Sequence, residues 1–166
     1  MSVENKREKV WPALDRLNIS YELTEHPAVF TIEEMENLTI PLQGEICKNL
    51  FLRDDKGRRH FLVVLKKDKQ ADLALLGQRL GSSRLGFASA ERLNKYLGLT
   101  KGEVTPMGIL NDKKHEVEVV VDADLEDCPR LGVHPNDNTA TVWLSFADLI
   151  RLIKDCQNHL SVINLV

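Results

Sequence analysis

The centre of the fold is predicted by two apolar runs, Ile46-Cys-Lys-Asn-Leu-Phe-Leu52 and His60-Phe-Leu-Val-Val-Leu65, with Asp54-Asp-Lys-Gly57 between them. β-Branched and aromatic residues favour strands, and a short segment containing Asp and Gly favours a turn. Together the three segments predict a β-hairpin. The other predicted elements precede and follow this hairpin along the chain.

Helices and further strands are predicted on both sides of the hairpin. An amphipathic helix is expected over about residues 3–18, where Val10, Leu14 and Leu17 recur at helical spacing. Capping residues predict three more helices, beginning at Thr31, Ser89 and Ser145, the last two ending at Gly98 and about Gln157. A further helix is predicted over Asp72–Leu80, with a stop at Gly81. Strands are predicted at Tyr21–Glu25, Glu116–Asp122 and Thr139–Leu144. Because strands and helices do not alternate strictly, we expect an α+β fold: a single compact domain over residues 1–166, with helices around a mixed, barrel-like sheet.

The composition is that of an ordinary globular protein, with 166 residues of which 43% are hydrophobic and 28% charged. The net charge of −3 conceals an asymmetry, because residues 48–101 hold 13 Lys and Arg against 5 Asp and Glu. A basic segment can attract a polyanion such as a nucleic acid even on an acidic protein. The alternative is that these charges form ordinary solvated surface.

Other classes of protein are not indicated by the sequence. No segment approaches the ~20 consecutive apolar residues of a membrane helix, and the N-terminal charges are not followed by an apolar signal segment. Three scattered cysteines do not suggest a disulfide framework, so we expect a cytoplasmic protein. The five histidines include no His-x-x-x-His pair, and Cys-x-x-Cys is absent, so no metal site is expected. Glycine motifs that bind nucleotides and the Gly-x-Ser-x-Gly motif of serine hydrolases are also absent.

Lys48 is a charged residue inside an apolar strand. By strand alternation it shares a face with Ile46, Leu50 and Leu52. A buried ammonium group is costly unless it is paired or faces a ligand, so Lys48 is a candidate for binding a ligand phosphate. The alternative is that Lys48 lies at a strand end and extends its amine into solvent.

Two loops carry further candidate residues. The segment Gly102-Glu-Val-Thr-Pro-Met-Gly108 can present bare backbone amides and carbonyls to a small ligand. The segment Leu131-Gly-Val-His134-Pro-Asn-Asp-Asn138-Thr-Ala-Thr brings a histidine, two amides and hydroxyls together before a strand, as in the polar wall of a site. Each loop alone also has an ordinary structural explanation, as a turn or a solvated surface.

Four segments, in their order and spacing, resemble the YbaK/prolyl-tRNA-synthetase-associated editing domain family, and specifically its freestanding members that deacylate alanyl-tRNA(Pro). They are His26-Pro-Ala-Val-Phe-Thr31, Cys47-Lys48-Asn-Leu-Phe-Leu52, Gly102-x-x-x-Pro106 and Gly132-Val-His134-Pro-x-x-Asn138-Thr-Ala-Thr141. The similarity runs from about residue 5 to residue 157. In the cysteine-specific relatives a glycine-rich Ser-Gly-Gly-Lys type run replaces the histidine and proline, so the resemblance favours alanine.

The resemblance implies a role for each segment. Lys48 would contact the terminal adenosine and its phosphate, the Gly102–Pro106 loop would hold the aminoacyl group by its backbone, and His134 would be a pocket histidine. Lys48, Gly102 and His134 are thus the expected catalytic set. The expected substrate-binding residues are His26, Val29, Phe30, Thr31, Val104, Pro106 and Asn138. The implied enzyme acts in trans without a metal, cofactor or covalent nucleophile.

The implied partner is the acceptor end of tRNA(Pro), with prolyl-tRNA synthetase as a further candidate; no membrane partner is implied, and a monomer is expected. The chemistry is consistent, because an aminoacyl ester is already activated and needs mainly a positioned water and a stabilised oxyanion. A pocket fitted to a methyl group would reject proline by size. The alternatives are a deacylase for Cys-tRNA(Pro) or another small residue, a non-catalytic tRNA-binding module, and a small-molecule hydrolase.

Overall fold

A computed structural model describes residues 6–38 and 44–165 of the chain. Within these residues the strands are β1 (Glu22–Glu25), β2 (Glu45–Arg53), β3 (His60–Lys66), β4 (Gly86–Phe87), β5 (Val117–Asp122), β6 (Leu131–Val133), β7 (Ala140–Leu144) and β8 (Leu160–Ile163). The α-helices are α1 (Val10–Arg16), α2 (Ile32–Glu36), α3 (Leu73–Leu80), α4 (Ala90–Leu97) and α5 (Phe146–Asp155). Short 3-10 helices span Lys6–Lys9, Pro106–Asn111 and Ala123–Asp127.

The predicted hairpin is confirmed and forms the centre of the sheet. Strands β2 and β3 pair antiparallel from Cys47 to Arg53. The turn between them is held by Asp54, whose Oδ1 accepts the backbone N–H groups of Arg58 and Arg59 at 2.7 and 3.1 Å. The buried carboxylate of Asp54 therefore provides the hydrogen-bond acceptor for two backbone amides of the turn.

The sheet is mixed and open. Its strand order is β1-β7-β6-β2-β3-β5-β8, with β4 added to β2. The pairs β2–β6, β3–β5 and β5–β8 are parallel, and the others are antiparallel. The predicted mixed sheet with surrounding helices is confirmed. Closure into a barrel is not observed, because the end strands β1 and β8 do not pair with each other in the described residues.

Both faces of the central strands are buried. On β3, Leu62 and Val64 pack into a core with α1, α4 and α5, whereas Phe61, Val63 and Leu65 pack into a second core that includes Leu76 of α3. Coverage on both faces explains why β3 is a continuous apolar run instead of an alternating one.

The caps predicted at Thr31, Ser89 and Ser145 and the stops predicted at Gly81 and Gly98 are confirmed. Thr31, Asp72, Ser89 and Ser145 each accept the backbone N–H three residues later, and Gly81 and Gly98 end their helices in the left-handed conformation. These local bonds set where each helix starts and stops. No helix in the described part of the chain is long and apolar enough to cross a membrane.

The partners of β2 on one side change along its length, and this change positions the site. Strand β6 pairs with β2 only at Glu45 and Ile46, and β4 pairs with it only at Leu52 and Arg53. Between these contacts, that edge of β2 has no strand partner in the described residues. A gap therefore opens where the parallel strands β2 and β6 diverge.

Candidate active site

A pocket of about 220 Å³ occupies the gap where β6 diverges from β2. Its walls come from β2, from β6 and the residue after it, from β7, from α2 with the loop before it, and from the loop after α4. The lining residues are Phe30, Thr31, Ile32, Met35, Ile46, Cys47, Lys48, Asn49, Gly102, Val104, Gly132, Val133, His134 and Thr141. Segments more than one hundred residues apart in the chain thus share one concave site, the usual geometry for binding a small ligand.

Lys48 provides a positive charge in the pocket wall. Its side chain is half-buried, and its Nζ donates to the backbone carbonyl of Lys69 at 3.2 Å. An ammonium group has three N–H donors, and the described residues supply this one acceptor. The remaining donors are available to an anionic or carbonyl oxygen that enters the pocket.

His134 is held as a neutral base with one free nitrogen. Its Nδ1 lies 2.8 Å from the carbonyl oxygen of Ala140. Because a carbonyl can only accept, Nδ1 carries the proton and Nε2 keeps a lone pair. Burial lowers the pKa of His134 below its ordinary value of 6.5, with a smaller contribution from His26, and outweighs the bond to Ala140. The imidazole is therefore an acceptor at neutral pH.

Thr141 supplies a second acceptor, and His26 fixes its orientation. His26 is buried, with Nδ1 2.9 Å from the carbonyl of Pro27 and Nε2 2.9 Å from Oγ1 of Thr141. The carbonyl requires a proton on Nδ1, so Nε2 accepts the hydroxyl proton of Thr141. The lone pairs of this hydroxyl oxygen therefore remain for other donors. His26 lies behind Thr141 and does not line the pocket.

The Gly102–Pro106 loop is fixed against the His134 segment. Fully buried Thr105 donates its hydroxyl proton to the backbone carbonyl of His134 at 2.6 Å. Gly102 has φ +93°, a left-handed conformation that favours glycine, and a Cβ there would lie 2.6 Å from Cδ1 of Phe30. Gly102 and half-buried Val104 line the pocket, whereas Pro106 is buried behind it.

The loop before α2 is joined to the segment before β7 by reciprocal hydrogen bonds. Nδ2 of Asn138 donates to the carbonyl of Val29 at 2.8 Å, and the amide of Val29 donates to the carbonyl of Asn138 at 3.1 Å. Val29 is 3% exposed and packs with Met35 and Trp143, behind the pocket wall. Phe30 is 64% exposed and stands at the pocket rim.

The pocket gathers six of the ten residues expected from sequence: Phe30, Thr31, Lys48, Gly102, Val104 and His134. The other four, His26, Val29, Pro106 and Asn138, lie behind the lining, where they support it. The sequence interpretation missed Asn49 and Thr141. Each had a visible signal, because Asn49 is polar within an apolar run and Thr141 ends the Asn-Thr-Ala-Thr motif.

The hairpin carries basic residues of the 48–101 segment at both of its ends. Lys66 pairs in register with Cys47 of the pocket wall, and Lys67 follows it with an ion pair of 3.2 Å to Glu36. Arg58 and Arg59 lie in the turn at the opposite end. Arg59 already contacts Glu118, at 2.8 and 2.9 Å.

Metal-ligating side chains are not clustered in the described part of the chain. Over residues 6–38 and 44–165 no group of three or more His, Cys, Asp or Glu is placed to hold an ion. Cys47, Cys128 and Cys156 are free thiols. Burial raises the pKa of the Cys47 thiol, which lines the pocket, so this thiol is not a thiolate nucleophile at neutral pH.

Comparison with known proteins identifies the family of this chain. The family model of the aminoacyl-tRNA editing domain matches residues 26–152, and the chain belongs to this family. It is accordingly an aminoacyl-tRNA hydrolase. It is 52% identical to the prolyl-tRNA editing protein ProX of Acetoanaerobium sticklandii, with 96% of this chain and 97% of that protein covered.

A more distant relative and a solved structure are also similar to the chain. The prolyl-tRNA synthetase associated domain-containing protein 1 of Danio rerio is 38% identical, over 92% of this chain and 83% of that protein. A crystal structure described as a candidate trans-editing enzyme for prolyl tRNA synthetase superposes with a TM-score of 0.73 at 21% identity, covering 97% and 98% of the two chains. At that identity the superposition shows the shared fold alone.

Proposed function

We propose that the chain hydrolyses alanine from mischarged tRNA(Pro) and so corrects errors of prolyl-tRNA synthetase in trans, as a single editing domain in the cytoplasm. The observation that carries this proposal is a small pocket lined by a half-buried ammonium group, Lys48, and a neutral imidazole, His134. The names of the similar proteins from Acetoanaerobium sticklandii and Danio rerio support the proline system.

Pocket size supports a small aminoacyl group. A volume of about 220 Å³ is below the ~300–1,000 Å³ of pockets that enclose drug-sized ligands. It suits an alanyl ester with its ribose, and leaves the terminal base and the acceptor stem outside. Proline would be rejected because its ring needs more room than a methyl group.

The polar groups of the pocket suit an aminoacyl ester. Nε2 of His134 and Oγ1 of Thr141 are acceptors and can hold the α-ammonium group of alanine. Asn49 lies where the edge of β2 opposite β3 has no strand partner in the described residues, and its backbone amide can donate to the ester carbonyl as charge develops there. Lys48 can bind the phosphate of the terminal nucleotide.

Hydrolysis then needs only a water molecule placed beside the carbonyl carbon. Water adds to that carbon, the ester bond to the ribose oxygen breaks, and that oxygen takes a proton, which yields alanine and free tRNA(Pro). The neighbouring ribose hydroxyl can help to position the water. Because an ester is already activated, no serine or cysteine nucleophile is required.

Metal independence is part of the proposal. Deacylation should be unchanged in excess EDTA, because positioning and electrostatic stabilisation can supply the rate enhancement. Loss of activity in EDTA that zinc or another divalent ion restores would contradict this.

The decisive experiment measures hydrolysis of three substrates by the purified chain: Ala-tRNA(Pro), Cys-tRNA(Pro) and Pro-tRNA(Pro). We expect rapid hydrolysis of the alanyl ester, slower hydrolysis of the cysteinyl ester and only very slow hydrolysis of the prolyl ester. Faster hydrolysis of Cys-tRNA(Pro) would instead identify a cysteine-specific deacylase. Tight binding without turnover would identify a non-catalytic tRNA-binding module, and hydrolysis of alanyl esters lacking tRNA would indicate a small-molecule hydrolase.

A further inference from the structure

Asp122 is a fully buried carboxylate at the end of β5 that does not line the pocket. Its Oδ1 accepts the Lys69 ammonium at 2.9 Å and the amide of Asp124 at 3.1 Å, and its Oδ2 accepts the amide of Lys66 at 3.3 Å. A buried charge is costly unless such bonds compensate it. These three bonds compensate the buried charge and hold the carboxylate of Asp122 in one position.

The bonds of Asp122 fix a turn at the pocket end of the hairpin. The turn spans Lys66 to Lys69 and is closed by a backbone hydrogen bond of 3.0 Å from the amide of Lys69 to the carbonyl of Lys66. Asp122 holds both ends of this turn, one through a backbone amide and the other through a side chain. Lys69 also contacts Asp124 at 2.6 Å and Asn164 at 3.5 Å.

The same turn contacts Lys48. The backbone carbonyl of Lys69 accepts the Nζ of Lys48 at 3.2 Å. Burial alone would lower the pKa of Lys69, but its bonds to Asp122 and Asp124 outweigh burial and raise it. Lys69 therefore stays charged and anchored at neutral pH, and its carbonyl keeps a fixed place beside the pocket.

We propose that Asp122 is a positioning residue, which through Lys69 places the Lys48 ammonium for the reaction. The inference rests on the proposed role of Lys48 in deacylation. A lysine side chain has four rotatable bonds and loses much entropy when it is ordered. A fixed carbonyl acceptor restrains the ammonium before substrate binds, so less of that entropy is lost on binding.

The test is a double-mutant cycle with Asp122→Asn and Lys48→Ala. Asparagine would direct an N–H donor toward groups that are themselves donors, which loosens the turn while nearly conserving volume. We expect Asp122→Asn to lower kcat/KM about tenfold in the wild type and less than about twofold in the Lys48→Ala background, since residues in one network are not additive. Equal losses in both backgrounds would overturn the positioning role.

A matched control exists at the other end of the hairpin. Asp54 is also a buried carboxylate that accepts two backbone amides of a turn, but that turn is remote from the pocket. Asp54→Asn should lower the melting temperature and leave the kcat/KM of the folded protein unchanged. Should Asp122→Asn fail to fold, Lys69→Met removes the anchoring ammonium, and the same cycle applies to it.

The cycle separates this inference from the proposed function. If Lys48→Ala alone retains wild-type kcat/KM, the proposed role of Lys48 is wrong, and this positioning role falls with it. If Lys48→Ala is severely impaired but folded Asp122→Asn and Lys69→Met are fully active, only the positioning role is wrong.

Discussion

The two ends of the β2–β3 hairpin are built from similar parts but differ in what those parts contact. The turn end has the buried carboxylate Asp54 and the buried imidazole His60, and the pocket end has Asp122 and His134 beside Lys48. Arg53, which pairs with His60, lies five residues from Lys48, or about 17 Å at roughly 3.3 Å per residue. The ends can therefore be altered independently.

The two histidines show the difference most clearly. The Nε2 of His60 is 3.1 Å from an Arg92 N–H group, and its ring stacks on Phe51 and contacts Tyr96 at 3.9 Å between centroids. Burial, and then the charge of Arg92, lower its pKa. His134 is also neutral, but its Nε2 borders a cavity and has no protein partner in the described residues. A pKa lowered by burial thus does not by itself distinguish a structural histidine from one able to bind a ligand.

The largest difference between the ends should appear on removal of a lysine from each. Lys48→Ala should lower kcat/KM for Ala-tRNA(Pro) at least about 100-fold, the scale of losing one electrostatic group from an active site. Lys56→Ala, at the exposed tip of the turn end, should leave it unchanged. Melting curves should show both variants folded. Near wild-type kcat/KM in Lys48→Ala would contradict the role assigned to this ammonium.

Substitution of the two histidines should separate activity from stability. His134→Asn should lower kcat/KM about 10–100-fold, as expected for lost positioning of the substrate. His60→Asn should lower the melting temperature and leave kcat/KM unchanged in the folded fraction. Steady-state kinetics on both variants would measure the change in kcat/KM, and thermal melts would measure the change in melting temperature. If both substitutions reduced activity equally, the pocket would not be the feature that distinguishes them.

The pH dependence follows from the lowered pKa of His134. Protonation of Nε2 removes the acceptor, so wild-type kcat/KM should fall only below pH 6.5, and His134→Asn should lose this acid limb. Both histidines bind protons more readily in the unfolded chain. Their contribution to stability is therefore present above pH 6.5 and is lost as pH falls through the lowered values.

Local signals explain how much of the fold could be predicted. Helix α3 was predicted over Asp72–Leu80 with a stop at Gly81, and the structure confirms it as Leu73–Leu80, with Asp72 as its N-cap and Gly81 at its end. Strands β4, β6 and β8 were missed because they are two to four residues long and depend on distant partners. Two to four residues are too few to show an alternation of apolar and polar residues that a sequence could reveal.

The candidate site was only partly predictable, for a similar reason. Lys48 was identifiable because a charge interrupts an apolar strand, whereas the direction of each loop side chain depends on tertiary contacts. Val29 and Phe30 are adjacent in sequence, yet one is 3% exposed behind the wall and the other 64% exposed at the rim. The proximity of Thr141 and His26 depends on the β1–β7 pairing and cannot be read from either segment alone.

Charge reversal tests whether tRNA contacts one end of the hairpin more than the other. The pair Lys66→Glu and Lys67→Glu adjoins the pocket and should raise KM about tenfold, equivalent to ~1.4 kcal/mol of binding. The pair Arg58→Glu and Arg59→Glu makes the same charge change at the turn end and should raise KM less. The salt dependence of binding should weaken only for the first pair. Equal effects would mean that the acceptor stem contacts the whole length of the hairpin.

The smallest expected effect concerns rejection of proline, and it compares a residue in the pocket wall with one behind it. Val104 lines the pocket, so Val104→Ala should enlarge it and raise hydrolysis of Pro-tRNA(Pro) about 3–10-fold, near the lower end of what a methylene group contributes in an apolar pocket. Val29→Ala instead leaves a cavity in the core with Met35 and Trp143, at a cost of about 1–3 kcal/mol in the free energy of unfolding. Val29→Ala should leave the specificity for alanine over proline unchanged.

A different mechanism would reject proline because its secondary amine makes poorer contacts than the primary amine of alanine. In that case Val104→Ala would lose alanine activity and gain none toward proline. This result in a well-folded variant would show that size is not the filter, while the deacylase assignment would stand.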